Sequence, residues 1–210
     1  MSIQLDKVQP KTKEQLKQLI NYAFKHNIYD LNFIDTSKIK DMSKLFMSCE
    51  YDFDVSSWDV SNVTNMSQMF YFCANFNCDL SGWDVSNVKN MRQIFYGCIS
   101  LNTDLSIWNV SNVTDMNHMF FCCENFDIKC FEYWNVSNVT DMTSMFAFCN
   151  KFDCDLSNWD VSNVTGMYFM FGHCKQFNCD LSCWNTSKVK DMKDMFTGCN
   201  RLTIPDWYKK

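Results

Sequence analysis

Seven cysteines, Cys49, Cys73, Cys98, Cys123, Cys149, Cys174 and Cys199, recur at nearly equal intervals along the 210-residue chain. Soft thiolates at close range are zinc ligands. Four acids, Asp79, Asp104, Asp155 and Asp180, recur in step with them, and carboxylates are what calcium takes. Both readings fail on geometry. Ligands repeated once per coil of a stacked fold form a line, whereas zinc needs four converging groups and calcium about six to eight oxygens. The cysteine column therefore reads as small buried apolar residues, and the aspartates as turn caps. A second set, Cys78, Cys154 and Cys179 with Cys130, falls in a loop and is expected to be more exposed. The three histidines, His26, His118 and His173, are accompanied by no glycine-rich phosphate loop, nucleophile elbow or paired His-Glu motif. The expectation is a non-enzyme without metal or cofactor.

The spacing of these residues belongs to an internal repeat, and a period of 20 to 50 residues fixes architecture before any single element does. Trp58, Trp83, Trp108, Trp134, Trp159 and Trp184 lie 25, 25, 26, 25 and 25 residues apart, and Ile34 opens an earlier, worn copy. Counted from the Trp place, the eighth residue on is Met, the twelfth Phe and the fifteenth Cys in all seven copies. Places 5, 8, 11, 12 and 15 form an apolar stripe at helical spacing, which predicts a short amphipathic helix in each copy. The stretch around "NFNCDLSGWDV" predicts a turn and a brief strand. Asn62, Asn87, Asn112, Asn138 and Asn163 are expected to form a ladder that satisfies backbone groups between copies. A unit this short cannot bury its own apolar face, so the copies must share a core by stacking. Residues 11–26 carry Thr12 and Gln15 as a capping box, with Leu16, Leu19, Ile20 and Phe24 on one face, a pattern that predicts an N-terminal capping helix.

Composition agrees with a packed chain, at 16% aromatic with only 5 Gly and 2 Pro. Thirteen cysteines cannot all pair within one chain, and free thiols in a reducing compartment are expected. No segment has the roughly 18 apolar residues of a membrane span, and the first residues form no signal-peptide-like run. The expected location is therefore cytoplasmic, in a host cell or a virion. Net charge is −5, and residues 41–210 hold twelve Lys or Arg against twenty acids, which disfavours nucleic acid as a partner.

The repeat "W[DN]VSNVT[ND]MxxMFxxCxxFNxDLSx" resembles the BspA-like leucine-rich repeats, in the subgroup of unknown function met in mycoplasma surface lipoproteins, protists and giant DNA viruses. The matching residues run from about Ile34 to Trp207. The resemblance implies an α/β repeat fold: a right-handed leucine-rich-repeat-like solenoid of about seven 25-residue coils, each a short strand plus a short helix. With the predicted helix this divides the chain into an N-terminal helical cap (1–33), a seven-repeat solenoid (34–199) and a C-terminal cap (200–210). The implied function is protein interaction or adhesion. Bacterial members carry a leader or lipid anchor, which is not seen here.

Recognition must then use places that stacking does not dictate. Places 9, 10, 13 and 14 fall outside the apolar stripe. They hold Tyr71, Phe72, Arg92, Tyr96, His118, Phe121, Tyr168 and Phe169, an aromatic strip with an Arg. The alternative is that some of these rings lean back over the next coil. A second surface is the place before each Trp, where Tyr133 stands beside the one-residue insertion of residues 127–133. The expected partner is a host or viral protein, with self-association as the alternative, or adhesion at a surface if a leader was removed.

Overall fold

The computed structural model describes residues 7–126 and 131–209. One α-helix is present among them, α1 (Lys13–Lys25), followed at the far end by a 3-10 turn at Asp206–Lys209. The helix forms where its caps place it. Thr12 sits in extended backbone and its hydroxyl accepts the Gln15 amide at 3.2 Å, while Gln15 Oε1 accepts the Lys11 amide at 2.7 Å. Asn27, at φ 57, turns the chain out of the helix. Leu16, Ile20 and Ala23 are buried; Leu19 and Phe24 pack half-buried against the same core. Lys13 Nζ ties the helix to the first copy through Asp41 at 3.2 Å and Ser43 Oγ at 2.6 Å.

The repeats themselves overturn the expected fold class. No described copy contains an α-helix or a strand, so the α/β solenoid of strand-plus-helix coils is not the architecture. Each copy is instead a succession of four-residue turns. In the copy that begins at Trp58 they are closed by Val63 N–H to Val60 O, Met69 to Met66, Cys73 to Phe70, Phe76 to Cys73, and Trp83 to Leu80. The parallel pairings between copies are single-residue bridges, running Asp41, Asn65, Asn90, Asp115, Asp141, Gly166, Asp191.

The reason lies at two places per copy. Places 10 and 14 adopt positive φ in all seven copies: Lys44, Gln68, Gln93, His118, Ser144, Phe169 and Asp194 at the first, Ser48, Phe72, Gly97, Cys122, Phe148, His173 and Gly198 at the second. A positive φ at the third residue is what a type II turn requires, and it stops an α-helix. Tandem turns give the same i, i+3, i+4, i+7 burial as a helix, so the apolar stripe is real and its element is different. The turns also free alternate amides. Met66, Gln68, Phe70 and Phe72 donate forward to the carbonyls of Asn90, Arg92, Ile94 and Tyr96 at 2.7–3.0 Å, and the pattern recurs down the stack. In a helix those amides would be bonded within their own copy.

The brief strands fail for a related reason. Around Leu80 the chain alternates buried and exposed residues as a strand would, but its polar backbone is met by side chains of the next copy. The Leu80 amide donates to Thr103 Oγ1 at 3.2 Å, and the Leu80 carbonyl accepts Trp108 Nε1 at 3.0 Å. What remains is a single core in which each column lies on its counterpart. The place-12 rings stack from Phe46 through Phe70, Phe95, Phe120, Phe146 and Phe171 to Phe196, with centroids 5.5–5.9 Å apart.

Candidate interaction surface

Every residue type that invited a chemical reading has a defined partner in the stack. From Cys73 to Cys199, six of the column thiols donate back to the place-12 carbonyl of the previous copy, as Cys73 does to Phe46 at 2.9 Å and Cys123 to Phe95 at 3.1 Å. Burial pushes the Cys73 thiol up to about 12, and holds Cys98, Cys123 and Cys174 well above the usual range, so these sulfurs stay protonated donors. The second set is corrected by the structure. Cys78, Cys154 and Cys179 are buried, not exposed, and accept the amides of Val55, Phe131 and Leu156 at 3.4, 3.0 and 3.2 Å. Cys130 lies outside the described residues, as does most of the insertion. The twelve described cysteines are free thiols; among them Cys183 is the exposed one.

The aspartates cap turns as expected. Asp79, Asp104, Asp155 and Asp180 accept the amide of the serine two residues on at 2.9 Å. Those bonds hold Asp79 and Asp155 below the ordinary carboxylate range. The asparagine ladder is also present: Asn62, Asn87, Asn112, Asn138 and Asn163 donate to the carbonyls of Ser37, Ser61, Ser86, Ser111 and Ser137 at 2.7–3.0 Å. No group of three or more His, Cys, Asp or Glu among the described residues is arranged to hold a metal ion.

The aromatic places come together on one side of the turns. Tyr71 stacks on Tyr96 at 4.8 Å and Tyr96 on Phe121 at 4.6 Å, with His118 beside both at 6.0 and 5.4 Å. Phe121 meets Phe148 edge-on at 5.4 Å, and Phe148 meets His173 at 4.9 Å and Phe169 at 5.7 Å, with Tyr168 following at 6.0 Å. With Phe72 edge-on to Tyr71 at 4.8 Å and to Tyr96 at 5.2 Å, nine rings, Tyr71, Phe72, Tyr96, His118, Phe121, Phe148, Tyr168, Phe169 and His173, thus make a continuous strip across five copies. Sequence reasoning missed Phe148 and His173, although both occupy place 14, the place that singled out Phe72.

The strip is neither core nor fully wetted. Tyr71, Tyr96 and Phe121 are half-buried on one another, whereas Phe72 is 50% exposed and Tyr168 39%. Some rings do lean over the next copy. A Cβ on Gly97 would come within 2.6 Å of the Phe72 ring, and one on Gly198 would meet His173. The glycines at those places make room for the rings. Arg92 is exposed, and its charge reaches Asp115 and His118. Burial pushes His118 below its ordinary value and the Arg92 charge adds to the shift; its Nδ1 lies 2.6 Å from Asn117 Oδ1. Tyr133 stands elsewhere, 83% exposed before Trp134, at the place held in the preceding copy by Ile107, which is 72% exposed.

No helix among the described residues is long and apolar enough to cross a membrane. No curated protein and no solved structure is significantly similar to the chain. A sequence model of one family matches it twice, over residues 14–133 and 115–208. The two matches overlap by a stretch shorter than one repeat and together span nearly the whole chain, so it belongs to the family described as "Mycoplasma protein of unknown function, DUF285".

Proposed function

We propose that the protein is a non-enzymatic binding module that docks a host or viral protein on the aromatic strip from Tyr71 to Tyr168. The observation that carries this reading is the strip itself: ring contacts run through five copies, yet Phe72 and Tyr168 keep large exposed faces. Aromatic side chains held rigid before binding lose little conformational freedom on contact, which is why Tyr, Trp and Arg dominate binding energy at interfaces. The thiols and carboxylates of the columns support the non-enzymatic part, since each is engaged in a bond between or within copies. The resemblance to BspA-like repeats points to protein interaction or adhesion.

The test is capture of a partner from host lysate by the wild-type chain and by Phe72→Ala with Tyr168→Ala. A loss of roughly 2 kcal/mol in binding, about thirtyfold in affinity, is expected with the folding temperature unchanged. Ile107→Ala with Tyr133→Ala should leave capture intact. Capture that survives the first pair and fails with the second would place recognition before the tryptophans. A mass that rises with concentration in light scattering would instead favour self-association.

A further inference from the structure

The two ends of the stack are closed differently. At the first copy, α1 lies over the turn segment, and Ile39 and Met42 are 2% and 0% exposed. At the last copy, Trp207 and Tyr208 cover only one half. Trp207 takes the next place in the tryptophan column, donating to Leu181 O at 2.8 Å and stacking on Trp184, while Tyr208 meets Phe196 at 5.0 Å. The other half is left open. Val189 and Met192 are partly exposed, although their counterparts Val63, Met66, Val88, Met91, Val113 and Met116 are fully buried.

The backbone of this half is also unfinished. In the preceding copy Met167, Phe169, Phe171 and His173 donate forward to Asp191, Lys193, Met195 and Thr197. Their counterparts Met192, Asp194, Phe196 and Gly198 have no acceptor among the described residues. Four amides at alternate residues thus point one way from an edge beside two apolar side chains. The copy is also the most basic one, with Lys188, Lys190, Lys193 and Arg201 against Asp191, Asp194 and Asp206 in a body that is otherwise acidic.

We propose that this C-terminal edge is a second binding site, distinct from the aromatic strip, which captures an acidic chain segment coiled in the same tandem turns. The segment's alternate carbonyls accept the four amides, an apolar side chain covers Val189 and Met192, and its acids meet Lys190 and Lys193. A second copy of this chain does not fit. Edge to edge, donors would face donors and lysines would face lysines. Edge to first copy, α1 stands beside the acceptor segment, held there by Lys13 Nζ to Asp41 at 3.2 Å and to Ser43 Oγ at 2.6 Å. A foreign segment added to an open backbone edge gains main-chain bonds, with side-chain contacts supplying selectivity.

The probe is a labelled, end-blocked peptide repeating Asp, Val and Gly, whose glycines permit the positive φ of the turns, titrated into the full chain by fluorescence polarisation beside its counterpart with Lys in place of Asp. The acidic peptide is expected to bind at least about tenfold more tightly, to weaken as salt is raised, and to lose about tenfold with Lys190→Glu and Lys193→Glu. Amide hydrogen exchange should slow on binding at Met192, Asp194, Phe196 and Gly198. The proposal is overturned if the acidic peptide does not bind, if both peptides bind alike, if charge reversal changes nothing, or if protection falls elsewhere. It is equally overturned if those four amides are already slow in the free chain, or if the chain dimerises through this end.

Discussion

Lys44 offers the sharpest test of the tandem turns, because a helix and a type II turn predict opposite signs there. It stands at φ 58 with its side chain exposed, and its amide donates to Ser67 O at 2.9 Å. A left-handed conformation costs an L-residue about 1–2 kcal/mol, which glycine does not incur. Glycine loses about 0.5–1 kcal/mol more backbone entropy on folding. Lys44→Gly should therefore stabilise the protein by about 0.5–1 kcal/mol, raising the thermal midpoint by about 1–4 °C in a chain of this length. At a helix-interior position the same change would cost about 1 kcal/mol and lower the midpoint by about 2–4 °C. Gly97→Ala supplies the converse. Its φ of 72 and a new Cβ 2.6 Å from Phe72 Cδ1 should both destabilise, and in a Phe72→Ala background only the backbone part should remain. Differential scanning calorimetry of the four variants decides the matter; a midpoint that falls by about 2 °C or more in Lys44→Gly refutes the turn assignment.

Four further outcomes follow from the bonds and burial of the stack. Trp83→Phe removes the indole donor to Val55 O at 3.1 Å and leaves that carbonyl with the Trp58 amide alone, so a loss of about 0.5–1.5 kcal/mol is expected in urea unfolding. The buried thiols have folded-state values raised above 9.0, to about 12 at Cys73 and Cys78, so the stability they contribute is complete below pH 9 and is lost as pH climbs toward 12; circular dichroism should show alkaline unfolding in that window. Asp79 and Asp155 are held below 3.8 by Ser81 and Ser157, which adds stability above that pH and removes it as pH falls further. A thiol-reactive dye should lose one fast-reacting site in Cys183→Ser, whereas Cys98→Ser should leave the fast phase unchanged.

The columns were legible in the sequence and their backbone was not. Trp, Met, Phe and Cys repeat because stacking places identical groups on one another, so period and burial could be read directly from Trp58 to Trp184. The segment from Met66 to Cys73 could not be read in the same way, because a helix and two consecutive turns bury the same places. The signal that separates them was present but weak. Gly97 and Gly198 occupy a place elsewhere held by Ser, Phe, Cys and His, and glycine's tolerance of positive φ marks what the others are made to adopt. The strand around Leu80 failed because a tryptophan and a threonine from the next copy supply the partners that a strand would have supplied. For the strip, place 14 was chosen for Phe72 and not followed to Phe148 and His173. Neither ring looks exposed in sequence, and their contacts with Phe121 and Phe169 emerge only once the copies are stacked.

The bonds between copies run in two opposed directions, the amides of places 8, 10, 12 and 14 forward, and those of place 6 backward with the tryptophan, asparagine and cysteine side chains, and this bears on heredity. If residues 83–107 were excised whole, the Met66 amide would face the Asp115 carbonyl, the Trp108 indole the Val55 carbonyl, and the Asn112 amide the Ser61 carbonyl. Each is a pairing of a kind the chain already makes at another level. At these three places the seam would keep its bonds. Copy number is therefore a quantity that recombination can raise or lower in whole units, lengthening or shortening the aromatic strip while α1 goes on covering the first copy and Trp207 half of the last.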